Sequence, residues 1–429
     1  MLERLRHFTL RYLIQNNSVQ NFLYLGIIQG TNVLISIISV PLIIQRVGVD
    51  QFGLVSLALS VITSLNIVVG FGYNFSGPRE ASIQRQDRAK LSDHFSLVLY
   101  SKLCIALLLI VGIFFTVQFT NAFEDYRVIL AFSSIILISE AIQLVWFFQG
   151  IEKTRVASIV NVLSKVCYLL AIMYFIDGPS KSKFVNFIWG TSALAFNLGL
   201  VLYSLREFHI HFVKPNFRGI VKSVGENTKL FFYSLISHIT VSSGIIILSF
   251  FEGSAQLGMY GLVEKVIITL RFFPSLVVSA TFPKASHLFV HQRERYIPFL
   301  MKISLIGASV TGLISICAFI FSPEIVGFLA KSQLAESILF LKILCFVPFL
   351  SSINIFNMLY FLTKDLQKIL IKSSVINSIF MLLTACSLTA LYGTVGLCIS
   401  LLLSEVFTTI TCTVVRLNYS KNENKLTGS

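Results

Sequence analysis

The stretch YGLVEKVIITLRFFPSLVV, residues 260–278, has the apolar length of a helix crossing a membrane, yet it carries Glu264, Lys265 and Arg271. Three more ionisable side chains, Glu140, Lys165 and Glu405, stand near the middle of other apolar runs. A charge at the centre of a lipid-spanning helix costs about 2.5 to 3.5 kcal/mol on insertion scales, so each should face a protein interior or a wet cavity. The chemistry open to them depends on type. A guanidinium fork grips a diphosphate two oxygens at a time, whereas an ammonium offers any anion a point charge. A mid-membrane carboxylate can exchange a proton, bind sodium, or pair with one of the cations. At 100° per residue, Glu264 and Arg271 fall within about 20° of one another and are separated by roughly 10 Å of helical rise. Lys265 points about 100° away, toward a neighbouring helix. Arg271 is thus a candidate anion ligand, with an ion pair to Glu140 or Glu405 as the structural alternative. Lys102 and Lys302, within about two turns of the basic end of their runs, can snorkel to the interface, and Lys342 is similarly placed at the opposite end of its run.

Uncharged groups form a second pattern. Gln29, Asn32, Ser36 and Ser39 cluster on one side of the first apolar run at helical spacing, and Asn66 stands within the second. Amides and hydroxyls so placed suit a hydroxyl-rich ligand, and equally the hydrogen bonding by which membrane helices hold one another. Asn354 and Asn357 carry the same two readings. The candidate substrate ligands are Arg271, Lys165, Lys265, Asn66, Gln29 and Asn32. Glu140, Glu264 and Glu405 are the candidates for ion coupling or ion pairing.

The elements that must position these groups are membrane helices. Of 429 residues, 55% are hydrophobic and 13% charged, with 39 Phe, and the mean hydropathy is +0.80, far from the composition of a soluble domain. A bilayer core about 30 Å thick needs roughly 20 apolar residues. Twelve such runs occur, near 20–44, 53–75, 95–117, 129–149, 157–176, 185–205, 230–251, 259–281, 299–321, 337–361, 373–391 and 395–416. The first is too long for the h-region of a signal peptide and lacks a small-residue cleavage site. Ten-residue alternating segments, the mark of a membrane barrel, are absent. Lys and Arg number 34 against 20 Asp and Glu. Assigning loops alternately to two sides puts 23 Lys and Arg on the side holding both termini, 5 on the other and 6 inside the runs. The positive-inside rule then places both termini in the cytoplasm and explains the net charge without nucleic acid. The seven cysteines all lie in apolar runs without a C-x-x-C pair and read as small buried hydrophobes.

Sliding the sequence against itself by 205 positions aligns VGVDQFGLV from Val47 with EGSAQLGMY from Glu252, matching Gly48 to Gly253, Gln51 to Gln256 and Gly53 to Gly258. The same offset puts Pro78-Arg79 on Pro283-Lys284, Arg88 on Arg293, Asn32 on Ser237 and Asn66 on Arg271. Each half therefore has six spans starting from the same side: a parallel repeat about an axis along the membrane normal. The expected organisation is an N-terminal six-helix lobe at 1–205, a cytoplasmic connecting loop at 206–229, a C-terminal six-helix lobe at 230–416 and a cytoplasmic tail at 417–429. Such all-α, twelve-helix folds bind cargo at a central cavity and move it by alternating access.

The segment LGIIQGTNVLISIISVPLIIQRVGVDQFGLVSLALSVITSLNIVVGFGYNFSGPREAS resembles the start of the polysaccharide biosynthesis/O-antigen flippase (Wzx-type) family, within the multidrug/oligosaccharidyl-lipid/polysaccharide exporter superfamily. Gln29-Gly30, Asn32, Pro41, VGVDQFGL and GPREAS carry the resemblance, and length, span count and repeat agree along the whole chain. The resemblance implies an inner-membrane flippase that moves an undecaprenyl-diphosphate-linked sugar unit to the periplasmic leaflet. Its implied partners are that lipid-linked substrate, membrane lipid, and a polysaccharide polymerase with its chain-length proteins. No functional residue carries over by motif. A multidrug exporter of the same fold is the alternative, disfavoured by Lys165 and Arg271 at mid-depth, since organic cations call for an acidic cavity. An O-antigen polymerase needs reactive groups on a large outer loop, and the outer loops, such as EGSAQLG and YGTV, are short. No catalytic constellation, metal motif or phosphate-binding glycine loop occurs, so the chain reads as a transporter without a cofactor. Proton or sodium coupling is left open.

Overall fold

The computed structural model describes residues 17–119 and 126–427. The basic N-terminal residues 1–16, assigned above to the cytoplasmic side, lie outside them. Every regular element among the described residues is helical: α1 (Asn17–Val47), α2 (Val49–Gly70), α3 (Tyr73–Gln84), α4 (Arg88–Phe119), α5 (Arg127–Ser133), α6 (Ile135–Ala141), α7 (Val145–Gly150), α8 (Thr154–Phe175) and α9 (Phe184–Glu207) come first. After them follow α10 (Phe217–Ser242), α11 (Gly244–Leu248), α12 (Ser254–His291), α13 (Arg293–Ile320), α14 (Ser322–Ala330), α15 (Ala335–Leu344), α16 (Val347–Ile353), α17 (Ile355–Thr363) and α18 (Gln367–Thr427).

Among the described residues, ten helical segments are long and apolar enough to cross a bilayer, so the chain is a multi-pass membrane protein. Most coincide with the runs read from sequence. The last segment, Lys368–Lys421, contains the two final runs, separated by a break at Gly393 with φ 57° and ψ −143°. The run at 230–251 is instead divided: α10 ends at Ser242 and the short α11 follows, so this run is not a single spanning helix. Residues 217–229, read as part of a connecting loop, are helical and continue into that run.

The fourth and tenth spans are also discontinuous, at places that the repeat offset brings within a few residues of one another. The fourth is α5 to α7, with Gln143 and Leu144 outside any helix. The tenth is α15 to α17, interrupted at Cys345-Phe346 and Asn354. The 205-residue offset carries Glu140, beside the first break, onto Cys345, within the second. Broken helices in corresponding halves expose backbone polar groups inside the membrane, tolerated only where protein or a wet cavity receives them.

The chain divides into two compact units at residues 235 and 236. In the first, the GPREAS segment packs α3 onto α7. A Cβ on Gly77 would stand 2.8 Å from the Trp146 ring, and one on Gly150 2.6 Å from the carbonyl oxygen of Pro78, so both positions require glycine for this approach. Around the contact a cluster of Tyr73, Phe95, Trp146, Phe147 and Phe148 is buried. The second unit builds a smaller cluster with Tyr296, Leu300, Leu359 and Phe361. Leu91 and Phe95 of the first cluster map by the repeat onto Tyr296 and Leu300 of the second. The repeat recurs in hydrogen bonding too. Gln51 Oε1 accepts from the Ser182 hydroxyl at 2.7 Å, and its counterpart Gln256 accepts from Thr394 at 3.1 Å.

The surfaces left over are lipid-facing in character. Cys104, Cys167, Cys317 and Cys386 are exposed, correcting the expectation of seven buried thiols; only Cys345, Cys398 and Cys412 are buried. An apolar run sets a residue within the membrane, and only packing decides whether it meets protein or lipid.

Candidate functional site

The N-terminal unit encloses a polar cavity of about 320 Å³. At ~30 Å³ per water this is room for about ten waters, or for a sugar ring. Helical spacing builds its wall. Asn32 and Ser36 of α1 are one turn apart, as are Leu59 and Thr63 of α2, with Asn66 next along the same face. Asn161 and Lys165 of α8 repeat the pattern, and Trp189, Ala193, Asn197 and Leu200 do so along α9. Ser139, Glu140 and Gln143 arrive from the break in the fourth span.

Glu140 and Lys165 line it, and Lys102, outside the lining, pairs with Glu140. Lys102 Nζ lies 3.8 Å from Glu140 Oε1, an ion-pair separation too long for a hydrogen bond, and this buried ammonium has no hydrogen-bond acceptor among the described residues. Lys165 Nζ sits 3.6 Å above the centre of the Trp189 ring, a cation–π contact. Tyr168 meets the same indole edge-on at 5.2 Å. Two ammonium groups against one carboxylate leave the cluster at net +1 when all three are ionised. Burial rewards such an arrangement only when hydrogen bonds complete it, and here they are incomplete. The side-chain carbonyls of Asn32, Asn66 and Asn161 are likewise buried without a partner. Other amides in this unit are satisfied: Asn197 Nδ2 donates to Ser139 O and Oγ at 3.1 and 3.2 Å. Asn186 Nδ2 donates at 3.0 Å to both Val55 O and Ser133 Oγ. The cavity therefore offers unused acceptors, and the Lys165 ammonium, to whatever enters it.

The C-terminal unit holds the charges that opened the sequence reading, arranged differently. Glu264 and Arg271 share one face of α12, and Arg271 Nη2 donates to Glu405 Oε1 of α18, the pair named as the structural alternative. The adjoining hollow, lined by Tyr260, Glu264 and Arg271, measures about 20 Å³, room for one water. Elsewhere in this unit, Arg416 Nε donates to Asn357 Oδ1 at 2.8 Å, while Asn357 Nδ2 donates to Asn354 Oδ1 at 2.9 Å, so these amides are spent on one another.

Of the nine residues singled out from sequence, Asn32, Asn66, Glu140 and Lys165 meet in the large cavity. Glu264, Arg271 and Glu405 meet in the C-terminal unit. Gln29, which is exposed, and Lys265 line neither space. Lys102 is a correction: it does not snorkel. Its side chain is fully buried because α4 starts at Arg88, placing Lys102 fourteen residues, about 21 Å, along the helix. Sequence reasoning passed over Asn161, Trp189 and Asn197. The signal was present as one polar or aromatic residue per turn on α8 and α9. Among the described residues, no three of His, Cys, Asp and Glu come together as a metal site.

Known proteins fit this architecture. A family model described as "Polysaccharide biosynthesis protein" matches residues 18–289. A protein of Escherichia coli (strain K12) named "Putative O-antigen transporter" is 22% identical over 398 residues, covering 91% of this chain and 94% of that one. Its namesake in Shigella dysenteriae is 22% identical over 400 residues, covering 90% and 97%. Among solved structures, an inward-facing multidrug resistance MATE family transporter of the MOP superfamily superposes with a TM-score of 0.69 at 14% identity, over 91% of this chain and 96% of that one. Lipid II flippase MurJ in an inward closed conformation gives 0.68 at 13% identity, over 92% and 87%. At these identities the structural matches establish a shared fold.

Proposed function

The chain belongs to the polysaccharide biosynthesis protein family, and from that premise we propose that it is a flippase carrying a polyprenyl-diphosphate-linked oligosaccharide across the bacterial inner membrane. Cargo enters from the cytoplasmic leaflet, leaves on the periplasmic side, and both termini lie in the cytoplasm. The observation that carries this reading is the cavity of the N-terminal unit, walled by amides and hydroxyls inside an otherwise apolar protein.

Sugar hydroxyls are donors, and the unpartnered carbonyls of Asn32, Asn66 and Asn161 are acceptors at the same surface. Burying a saccharide there removes three polar defects rather than adding them. Lys165 supplies a positive charge for an anionic group on the cargo, with the Trp189 face holding the ammonium until the anion arrives. Arg271 is the candidate for the diphosphate. Its carboxylate partner Glu405 occupies the guanidinium in the absence of cargo, and a diphosphate replaces one acceptor by several while the displaced Glu405 carboxylate takes up a proton or meets water. The one-water hollow beside it means the exchange accompanies a movement of the unit. Transport by this route makes and breaks no covalent bond, so the chain acts as a transporter and not as an enzyme. A polysaccharide polymerase and chain-length proteins are the proposed protein partners.

A multidrug exporter for organic cations is the second reading, since MATE transporters share the fold. Lys165 at the wall of the cavity, with Lys102 behind it occupying Glu140, the carboxylate there, disfavours such substrates. The test is reconstitution in vesicles loaded with a polyprenyl-diphosphate-linked oligosaccharide in one leaflet, followed by oxidation with a membrane-impermeant periodate. Protein-dependent exposure of the sugar supports the flippase. Exposure no faster than in empty vesicles, with efflux of a cationic dye, assigns the protein to the second reading.

A further inference from the structure

The segment between the sixth and seventh apolar runs is more than a tether. The first half of α10 presents three stripes. One docks on the N-terminal unit: Ser223 Oγ and Tyr73 OH lie 2.9 Å apart, Phe231 stacks on Phe71 with ring centres 4.4 Å apart, and Gly72, at φ +79°, admits the helix so closely that a Cβ would stand 2.7 Å from Leu230 Cβ. The second stripe is apolar and exposed. Phe217 and Val221, one turn apart, are 75% and 54% exposed, and Phe212 and Val213 are exposed just before the helix begins. The third is basic. Arg218, Lys222 and Lys229 are exposed and fall within about 40° of one another at 100° per residue, roughly 100° from the apolar stripe. Lys214 adds a fourth exposed cation upstream, and Glu226, 3.9 Å from Lys222, is the acid beside the stripe.

This is the pattern of a helix lying at a membrane surface, with an apolar edge sunk among acyl chains and a basic edge level with headgroups. Its place in the chain agrees, since an apolar run begins immediately after Lys229 and the segment lies on the side carrying most of the lysines and arginines. We propose that residues 212–229 form an anchor selective for anionic phospholipids of the leaflet it faces, the partner whose charge complements this stripe. Because α10 runs unbroken from Phe217 to Ser242, the anchor is continuous with the apolar stretch that follows it. The proposal concerns lipid and stands or falls independently of the cargo.

The test uses the full chain with Phe217→Trp, reconstituted in vesicles of brominated phosphatidylcholine with or without brominated phosphatidylglycerol. Emission of the wild type, from Trp146 and Trp189, is subtracted. The added tryptophan should be quenched at least about twofold more in the anionic vesicles, and the difference should vanish at high salt, where headgroup attraction is screened. The triple substitution Arg218→Gln, Lys222→Gln, Lys229→Gln should abolish it at low salt as well. The salt titration leaves the native charges in place, so it decides the matter even if the triple variant folds poorly. Equal quenching in both lipid mixtures, or none in either, would overturn the proposal.

Discussion

Replacing Glu140 by Gln removes the carboxylate that, among the described residues, pairs with the fully buried Lys102. At 3.8 Å, two unit charges attract by about 4 kcal/mol at an effective dielectric of 20. A Gln amide at that distance makes no hydrogen bond in compensation. Breaking one side of a buried pair typically costs about 3 to 5 kcal/mol, because the remaining charge stays desolvated. Glu140→Gln should therefore destabilise the protein by about that amount, read from equilibrium unfolding in detergent. The double substitution Glu140→Gln, Lys102→Met removes the stranded charge and should return stability to within about 1 kcal/mol of the wild type. Transport should not return with it, because the carboxylate also lines the polar wall. A single variant as stable as the wild type, within about 0.5 kcal/mol, would refute the burial argument. A double variant that transports normally would reduce the pair to a structural brace.

Three further outcomes follow from the geometry. Lys165→Met should leave the folded protein intact yet slow sugar exposure in the vesicle assay by about tenfold or more, the equivalent of a lost charge-assisted contact, while Lys165→Arg should retain part of the rate. Arg271→Ala should abolish export at normal protein level, with Arg271→Lys keeping some; full export by the Ala variant would remove Arg271 from the diphosphate role. Gly150→Ala should destabilise by about 1 to 3 kcal/mol, since its Cβ meets the Pro78 carbonyl oxygen at 2.6 Å and backbone cannot move aside cheaply; an unshifted unfolding curve would show that α3 and α7 separate more freely than their packing implies.

Much of the architecture was legible because membrane helices announce themselves by length and apolarity, and because Gln51 and Gln256 sit in the same register of a repeat. The run at 230–251 misled because hydropathy does not register the break after Ser242. The gap at Gln143-Leu144 was equally silent, having neither Gly nor Pro, whereas Pro348 lies just after the interruption at Cys345-Phe346. At the site, Lys165, Glu140, Asn32 and Asn66 were visible as polar residues in apolar surroundings. Lys102 was misread because the apolar run begins near residue 95, about two turns before it, whereas the helix itself begins at Arg88 and buries this side chain. Which cation would face which carboxylate is a tertiary fact: Arg271 and Glu405 are 134 residues apart. Their pairing depends on how α12 meets α18, which no local pattern encodes.

The central claim is that this protein turns lipid-linked sugar units from one leaflet to the other. The most direct measurement is the lipid-linked sugar pool of a strain lacking the gene, with the leaflet position of each intermediate determined by an impermeant reagent applied from outside. The account predicts accumulation of single repeat units facing the cytoplasm, relieved when the wild-type gene is restored. Single units exposed on the periplasmic side, or a pool identical to that of the parent strain, would contradict it.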